Sequence, residues 1–256
     1  MKVFSDYAQY YDLLNQQKDY KQEVDYIISL INQFAPNAKY LLDLGSGTGL
    51  HAIHLAEKGY SVSGIDQSQN MINVAKKRLL TLPNQISKLL NFDIGDIRTF
   101  STNKSFDVVL SLFHVVSYQI TNSDLIKSFN TVSKHLKPGG IFIFDCWYGP
   151  GVLSDKPYSR NKRFENDKII INRLATPLSH PIKNQVDVHF DIEITNRQTG
   201  KSEKIKEIHK MRYLFNPEIK QFLKMNNLKL IHSEEWLSGN KPSFNSWYVT
   251  FICERI

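Results

Sequence analysis

Three glycines stand in Asp43-Leu44-Gly45-Ser46-Gly47-Thr48-Gly49, between a short apolar run and a stretch with helical spacing. A glycine turn at such a junction lets backbone N–H groups and a helix N-terminus approach a nucleotide-like ligand, because no side chain blocks them. The dinucleotide fingerprint requires a further glycine where this chain has Leu50, which disfavours a nicotinamide or flavin cofactor. Acids follow at the ends of the next two apolar runs. Asp66, about twenty residues beyond Gly45, is placed to accept both hydroxyls of a ribose. In Gly95-Asp96-Ile97, Asp96 can accept from an adenine amino group while Ile97 packs on the ring. Asp66 could instead cap the next helix, although Ser68 is better placed for that. Leu112 closes the fourth apolar run, and His114 and Tyr118 follow it, where they are candidates for positioning an acceptor or for general-base work. Plainer readings are a His114 satisfied by backbone and a Tyr118 that only walls a pocket. No His/Cys/Asp cluster shows metal-ligand spacing, so no metal is expected.

These groups need elements to hold them. Val24, Ile27, Ile28 and Ile31 predict a helix from Asp19 to Phe34. Tyr40 to Leu44 reads as a strand, Leu50 to Lys58 as a helix stopped by Gly59, and Ser61 to Ile65 as a second strand. A helix capped by Ser68 follows, with Met71, Val74, Ala75 and Leu79 on one face. Leu89 to Phe92, Phe106 to Leu112 and Ile141 to Asp145 are the next strands, with a helix from Ser123 to Leu136 stopped at Lys137-Pro138-Gly139-Gly140. Strands alternating with helices predict a doubly wound α/β fold, whose ligands lie beyond the carboxyl ends of a mainly parallel sheet.

After Asp145 the pattern changes. Residues 168–174, 185–195 and 204–214 have strand composition, and Val186, Val188, Phe190, Ile192 and Ile194 alternate, which predicts an antiparallel insertion. Strand parity puts His189 on the face opposite Val188 and Phe190, facing either a pocket or solvent. A helix from Asn216 to Met225, capped by Asn216, and strands at 228–234 and 247–253 complete a seven-stranded sheet. The chain thus reads as one domain, 1–256. Its parts are an N-terminal lid and helix (1–36), a cofactor half (37–146), an insertion on the acceptor side (147–213) and a C-terminal helix with a strand pair (214–256).

With 256 residues, 41% of them hydrophobic, the chain can bury a full core. A net charge of +7 and a pI near 9.2 suit an anionic partner such as a phosphorylated metabolite, although Lys is also an ordinary solvated residue. The basic residues are dispersed, so a nucleic-acid footprint is not written. Cys146 and Cys253 end apolar runs and read as reduced, buried thiols. Without an apolar leader or a bilayer-length run, the cytoplasm is the expected location.

Asp43 to Gly49, Asp66, Gly95-Asp96-Ile97 and Pro138-Gly139-Gly140 together resemble the succession of motifs in class I S-adenosylmethionine-dependent methyltransferases. The resemblance covers almost the whole chain and implies a Rossmann-like fold with S-adenosylmethionine as cofactor. It places Gly45, Ser46, Gly47 and Gly49 against the methionine part, Asp66 on ribose and Asp96 on adenine, with Gln67 and Met71 packing nearby. Tyr10 to Leu14 and Lys18-Asp19-Tyr20 are similar to the opening segment of enzymes that N-methylate nucleotide-linked amino sugars. Phe113 to Tyr118, Trp147-Tyr148-Gly149-Pro150 and Val188-His189-Phe190 resemble the same subgroup, which usually has a small hydroxyl residue where this chain has His114.

That resemblance implies Tyr11 and Tyr20 over the cofactor, and Trp147, Tyr148 and His189 beside the acceptor, where the charge of Arg212 makes it a candidate cation for a diphosphate. Arg160, Lys162, Arg163 and Lys241 are further candidate cations for a diphosphate, although each reads more readily as a surface charge. Alternative acceptors are another small metabolite or glycan, methylated on N or O, and nucleic acid. The last lacks both an RNA-binding motif and a base-handling motif at Leu112-Phe113-His114. A cofactor-fold protein without activity is opposed by the retention of both acids. The expected partner is a small molecule, with neither nucleic acid nor membrane involved; a homodimer is compatible with this reading.

Overall fold

The structure, a computed structural model, describes residues 10–256, so residues 1–9 of the expected N-terminal segment lie outside it. A short α1 (Tyr11–Leu14) precedes α2 (Tyr20–Phe34), whose N-terminus is capped by Asp19 accepting from the Gln22 N–H. Then come β1 (Tyr40–Leu44), α3 (Leu50–Glu57), β2 (Ser61–Asp66), α4 (Gln69–Leu79), α5 (Asn84–Ser87), β3 (Leu90–Ile94) and β4 (Phe106–Ser111). Next are α6 (Asn122–His135), β5 (Leu136–Trp147) and α7 (Gly149–Ser154). Strands β6 (Arg160–Glu165), β7 (Ile169–His180), β8 (Gln185–Asn196) and β9 (Ser202–Arg212) form the insertion, and α8 (Asn216–Lys224), β10 (Leu228–Glu235) and β11 (Tyr248–Arg255) end the chain.

The main sheet has seven strands in the order β10-β11-β5-β4-β1-β2-β3. Its β1 to β5 are mutually parallel, while β11 runs antiparallel to both β5 and β10. Alternation along the central strands fills two cores. Leu42, Leu44, Val109, Phe142 and Phe144 face α6 and α8, whereas Leu41, Val108, Leu110, Ile141 and Ile143 face α2, α3 and α4. Burying each such side chain contributes roughly 1.5–3 kcal/mol, so both layers of helices are held onto the sheet and its carboxyl edge is presented as a rigid rim.

The insertion is a separate four-stranded antiparallel sheet in the order β6-β7-β8-β9. One face, with Phe164, Ile171, Ile192 and Ile194, packs on α1; farther along, Val186 and Val188 pack with Trp147, Tyr213 and Trp247. This inner face therefore spans the space above the rim.

Three expectations change. The strand β6 went unanticipated because Arg160-Asn161-Lys162-Arg163-Phe164-Glu165 buries only Phe164. The strand β5 begins at Leu136, since a register shift opposite Phe106 and Val108 absorbs Pro138 and Gly139 within the pairing with β4. Asn216 is the first residue of α8 and not its cap: Phe215 holds that position, and Glu218 reaches back to accept from the Phe215 N–H at 2.9 Å. Cys146 and Cys253 are free and buried, and burial pushes both thiols well above their usual range. Among the described residues no helix is long and apolar enough to cross a membrane.

Candidate active site

The turn after β1 uses φ values of +87°, +54° and +82° at Gly45, Gly47 and Gly49, a region that disfavours other residues. A Cβ on Gly45 would come within 2.6 Å of Val115, so the turn after β4 packs directly on the glycine turn; at Gly47 nothing lies within 4 Å. Gly45 and Ser46 donate N–H bonds to the Ile65 carbonyl at 2.8 and 2.9 Å, fixing the turn to the end of β2. Asp66 accepts from Gly47 N–H at 3.0 Å and Ser68 N–H at 2.8 Å, while Ser68 itself caps α4. Burial holds Asp66 above the usual carboxylate range in spite of those donors. Asp43, only 2% exposed, is pushed to about 7 by burial and by the charge of Asp66. The Ser46 hydroxyl is buried and has no hydrogen-bond partner among the described residues.

A buried and a half-buried carboxylate, an unsatisfied hydroxyl and an open glycine fit a cofactor that carries a sulfonium, an ammonium and a ribose. Met71 and Ile97 are buried nearby in sequence order, and Leu112 is buried at the end of β4; Gln67 is exposed. Asp96 stands at the end of β3 in a bidentate ion pair with Arg98, which also reaches Asp124 at 3.1 Å. The Arg98 guanidinium holds Asp96 below the usual carboxylate range.

The N-terminal segment is latched to this turn by residues that sequence reasoning did not single out. Thr48 donates its hydroxyl to Asp12 Oδ1 at 2.8 Å; Asp12 pairs with Arg78, which donates to the Thr48 carbonyl at 2.8 Å. Farther along, Lys18 Nζ lies 2.6 Å from Glu23 Oε1, and His51 Nε2 lies 2.7 Å from Glu23 Oε2. Burial lowers Lys18 and His51; it would raise Glu23, but His51 and Lys18 hold that carboxylate down. Tyr20 meets His51 edge-on at 4.9 Å, and Lys18 sits 3.8 Å above the Phe113 ring. The signal for Asp12 and Lys18 was their place in the two opening motifs.

Beyond β4, Phe113 and His114 both take left-handed conformations, with φ of 62° and 64°. His114 Nδ1 lies 2.5 Å from Asp145 Oδ2, off the line of a hydrogen bond. The directional bonds come from the His114 backbone N–H, at 3.2 and 3.1 Å to the two Asp145 oxygens. Asp145 is fully buried; burial would raise it, but His114 keeps it below the usual carboxylate range. The Tyr248 ring stacks on His114 at 4.4 Å, and Arg160 acts electrostatically on Tyr248. Tyr118 Oη lies 2.8 Å from His209 Nδ1, and His209 Nε2 lies 2.9 Å from Glu207 Oε2, with His209 and Glu207 both buried.

The structure thus brings His114, Tyr118 and Trp147 to one region, the last through its backbone N–H, which donates to Ser117 Oγ at 3.0 Å. It does not bring the other acceptor candidates there. Tyr148 packs into the core beside Phe251. Arg212 is buried in bonds to Asn122 and Glu218, both at 2.8 Å. His189 lies across the strands from Thr176 and Ile208, on the outer face of the insertion, opposite His209 and Phe190. Arg160 and Lys162 share the inner face with Phe164, whereas Arg163 pairs with Glu165 on the other side and Lys241 is exposed in a loop.

A doubly wound sheet with a glycine turn after β1 and acids closing β2 and β3 defines an α/β enzyme built for an adenosine-containing cofactor. Residues 41–140 match a family described as a methyltransferase domain. The chain is 30% identical over 189 residues to a dTDP-3-amino-3,4,6-trideoxy-α-D-glucopyranose N,N-dimethyltransferase of Streptomyces venezuelae, spanning 73% of this chain and 76% of that protein. The fold is that of an S-adenosylmethionine-dependent methyltransferase from Clostridium acetobutylicum, with a TM-score of 0.79, 24% identity and 99% of each chain covered. It is equally that of Streptomyces venezuelae DesVI, with a TM-score of 0.79, 24% identity and 96% and 98% of the two chains covered. The chain belongs to the class I S-adenosylmethionine-dependent methyltransferases, with S-adenosylmethionine as methyl donor.

Proposed function

We propose that this enzyme methylates the amino group of a nucleotide-linked sugar. The observation that carries the reading is the Tyr118–His209 hydrogen bond, which pins the inner face of the insertion over the turn after β4. That face holds Arg160 and Lys162, cations suited to a diphosphate, and the Trp147 and Trp247 rings clustered with its Val186 and Val188 suit a sugar and a base. The relative from Streptomyces venezuelae is named for a dTDP-linked amino sugar, which fits the same arrangement.

S-adenosylmethionine supplies a methyl group whose leaving group is a neutral thioether. Gly45, Ser46 and Gly47 would hold its methionine part, Asp43 its positive charge, Asp66 its ribose, and Asp96 with Ile97 its adenine. The latch of Asp12, Thr48 and Arg78 keeps the N-terminal segment on the glycine turn, excluding water from the cofactor's neighbourhood. His114, held by Asp145, and Tyr118 orient the acceptor nitrogen; orientation alone contributes about 7–11 kcal/mol in well-aligned systems.

Acceptor profiling tests the reading. Purified enzyme with S-adenosylmethionine is offered dTDP-3-amino and dTDP-4-amino sugars, their hydroxyl counterparts, free small amines and transfer RNA, and S-adenosylhomocysteine release is measured. Release with the amino sugars alone is expected. Release with the hydroxyl sugars, amines or RNA in their place would overturn the assignment.

A further inference from the structure

Tyr118, His209 and Glu207 form a linear chain across two elements that are far apart in sequence. Tyr118 closes the turn after β4; His209 and Glu207 alternate on the inner face of β9. The protonation states follow from what each group can do. An ionised Glu207 carboxylate only accepts, so the hydrogen on His209 sits at Nε2 and donates to Glu207. His209 Nδ1 is then the bare nitrogen, and the Tyr118 hydroxyl donates to it. Burial of both partners, at 4% and 3% exposure, shields the chain from solvent competition. Among the described residues, the Phe190 ring also stands against His209, edge-on at 4.8 Å, and Arg173 lies 5.3 Å from the centre of that ring. Arg173 is a fixed charge.

We propose that this chain is a proton relay that returns the acceptor nitrogen to its neutral form after methylation, with His209 and Glu207 acting through Tyr118. The inference rests on the amino-sugar reading. When the nitrogen's lone pair bonds the methyl carbon, the carbon–sulfur pair goes to sulfur and the nitrogen becomes an ammonium. One ammonium N–H then breaks, its electron pair staying on nitrogen and its proton going to the Tyr118 oxygen. The Tyr118 hydroxyl proton passes in the same motion to His209 Nδ1, giving an imidazolium whose charge Glu207 balances. Product departure admits water, which takes the proton and resets the chain. A neutral secondary amine is again a nucleophile, so the relay is what permits a second methyl transfer at one nitrogen.

Two measurements test this. The first needs no acceptor: ¹⁵N spectra of histidine-labelled enzyme should show His209 protonated at Nε2 and hydrogen-bonded at Nδ1, and Tyr118→Phe should move only the Nδ1 signal. The opposite tautomer, or no response to Tyr118→Phe, overturns the relay. The second uses dTDP-3-amino-3,4,6-trideoxyglucose as probe with His209→Asn and the isosteric Glu207→Gln, each checked for wild-type near-ultraviolet circular dichroism. The relay predicts kcat reduced about 10- to 100-fold with KM within about twofold, monomethyl product accumulating, and the acidic limb of the kcat profile moved to lower pH in Glu207→Gln. Folded variants with wild-type kcat, product ratio and pH profile overturn it. Failure of the wild type to methylate the probe contradicts the acceptor reading instead, and the spectra still decide the relay.

Discussion

Asp43→Asn should make the free protein more stable and its cofactor complex weaker, two effects that an ordinary structural carboxylate would not combine. Folded Asp43 titrates at about 7, whereas the same side chain in an unfolded chain titrates near 3.8. Between those values the folded state holds a proton that the unfolded state has lost, so stability falls as pH rises through that window, and the full penalty is present above about pH 7. The gap corresponds to roughly 4 kcal/mol, an upper figure for a side chain whose burial and proximity to Asp66 both oppose its charge. In a chain of this length 1 kcal/mol moves the melting temperature by about 2–4 °C, so relief of even a quarter of the penalty is measurable. Calorimetric scans at pH 8 should show Asp43→Asn melting at least 2–4 °C above wild type, with the difference vanishing near pH 4. Titration with S-adenosylmethionine should show wild-type affinity rising about tenfold from pH 6 to pH 8, as the ionised fraction grows from roughly a tenth to nine-tenths. The variant should bind more weakly and without that pH dependence. Equal melting at pH 8 together with an unchanged dissociation constant would refute the placement of Asp43 against the donor's positive charge.

Three further outcomes follow from the same geometry. Asp66→Ala removes a charged hydrogen-bond acceptor and should weaken S-adenosylmethionine about 10- to 100-fold by calorimetry; an unaltered constant would contradict the ribose role. His114→Ala should lower kcat about 10²-fold while the cofactor dissociation constant stays within about twofold; normal turnover would remove His114 from the chemistry. Gly45→Ala forces a side chain into Val115 at 2.6 Å with φ at +87°, so it should cost about 2–4 kcal/mol in denaturant unfolding and cofactor binding with it. Wild-type stability in that variant would show that the two turns are not packed as described.

What could be read from the residues was what depends on near neighbours. The bounds of β1 and the cap at Ser68 follow from an apolar run, a turn and a hydroxyl within a few positions of each other. Asp66 was visible because it closes a short strand before a helix signal, and Asp96 because it follows a short strand and Gly95. Asp145 was not, since a lone acid at the end of a buried strand looks like a boundary until His114 is seen beside it. Glu207 and His209 lie about 90 residues from Tyr118, in a strand whose alternation reads only as half-exposed, so nothing local announces their bond. For His189, parity narrowed the choice to two faces, and only the docking of the insertion on α1 and Trp147 decides between them. Arg212 shows the same dependence: its charge suggested phosphate, but it bonds Asn122 of α6 and Glu218 of α8.

The most direct test of the central claim is to follow the transferred carbon. Enzyme, [methyl-¹³C]S-adenosylmethionine and a dTDP-amino sugar are incubated together, and the product is examined by proton–carbon correlation spectroscopy. A labelled methyl bonded to the sugar nitrogen and correlated with the ring carbon that bears it is expected. Label on a sugar hydroxyl or on the nucleotide, or none in the sugar while S-adenosylmethionine is consumed with another acceptor, would contradict it.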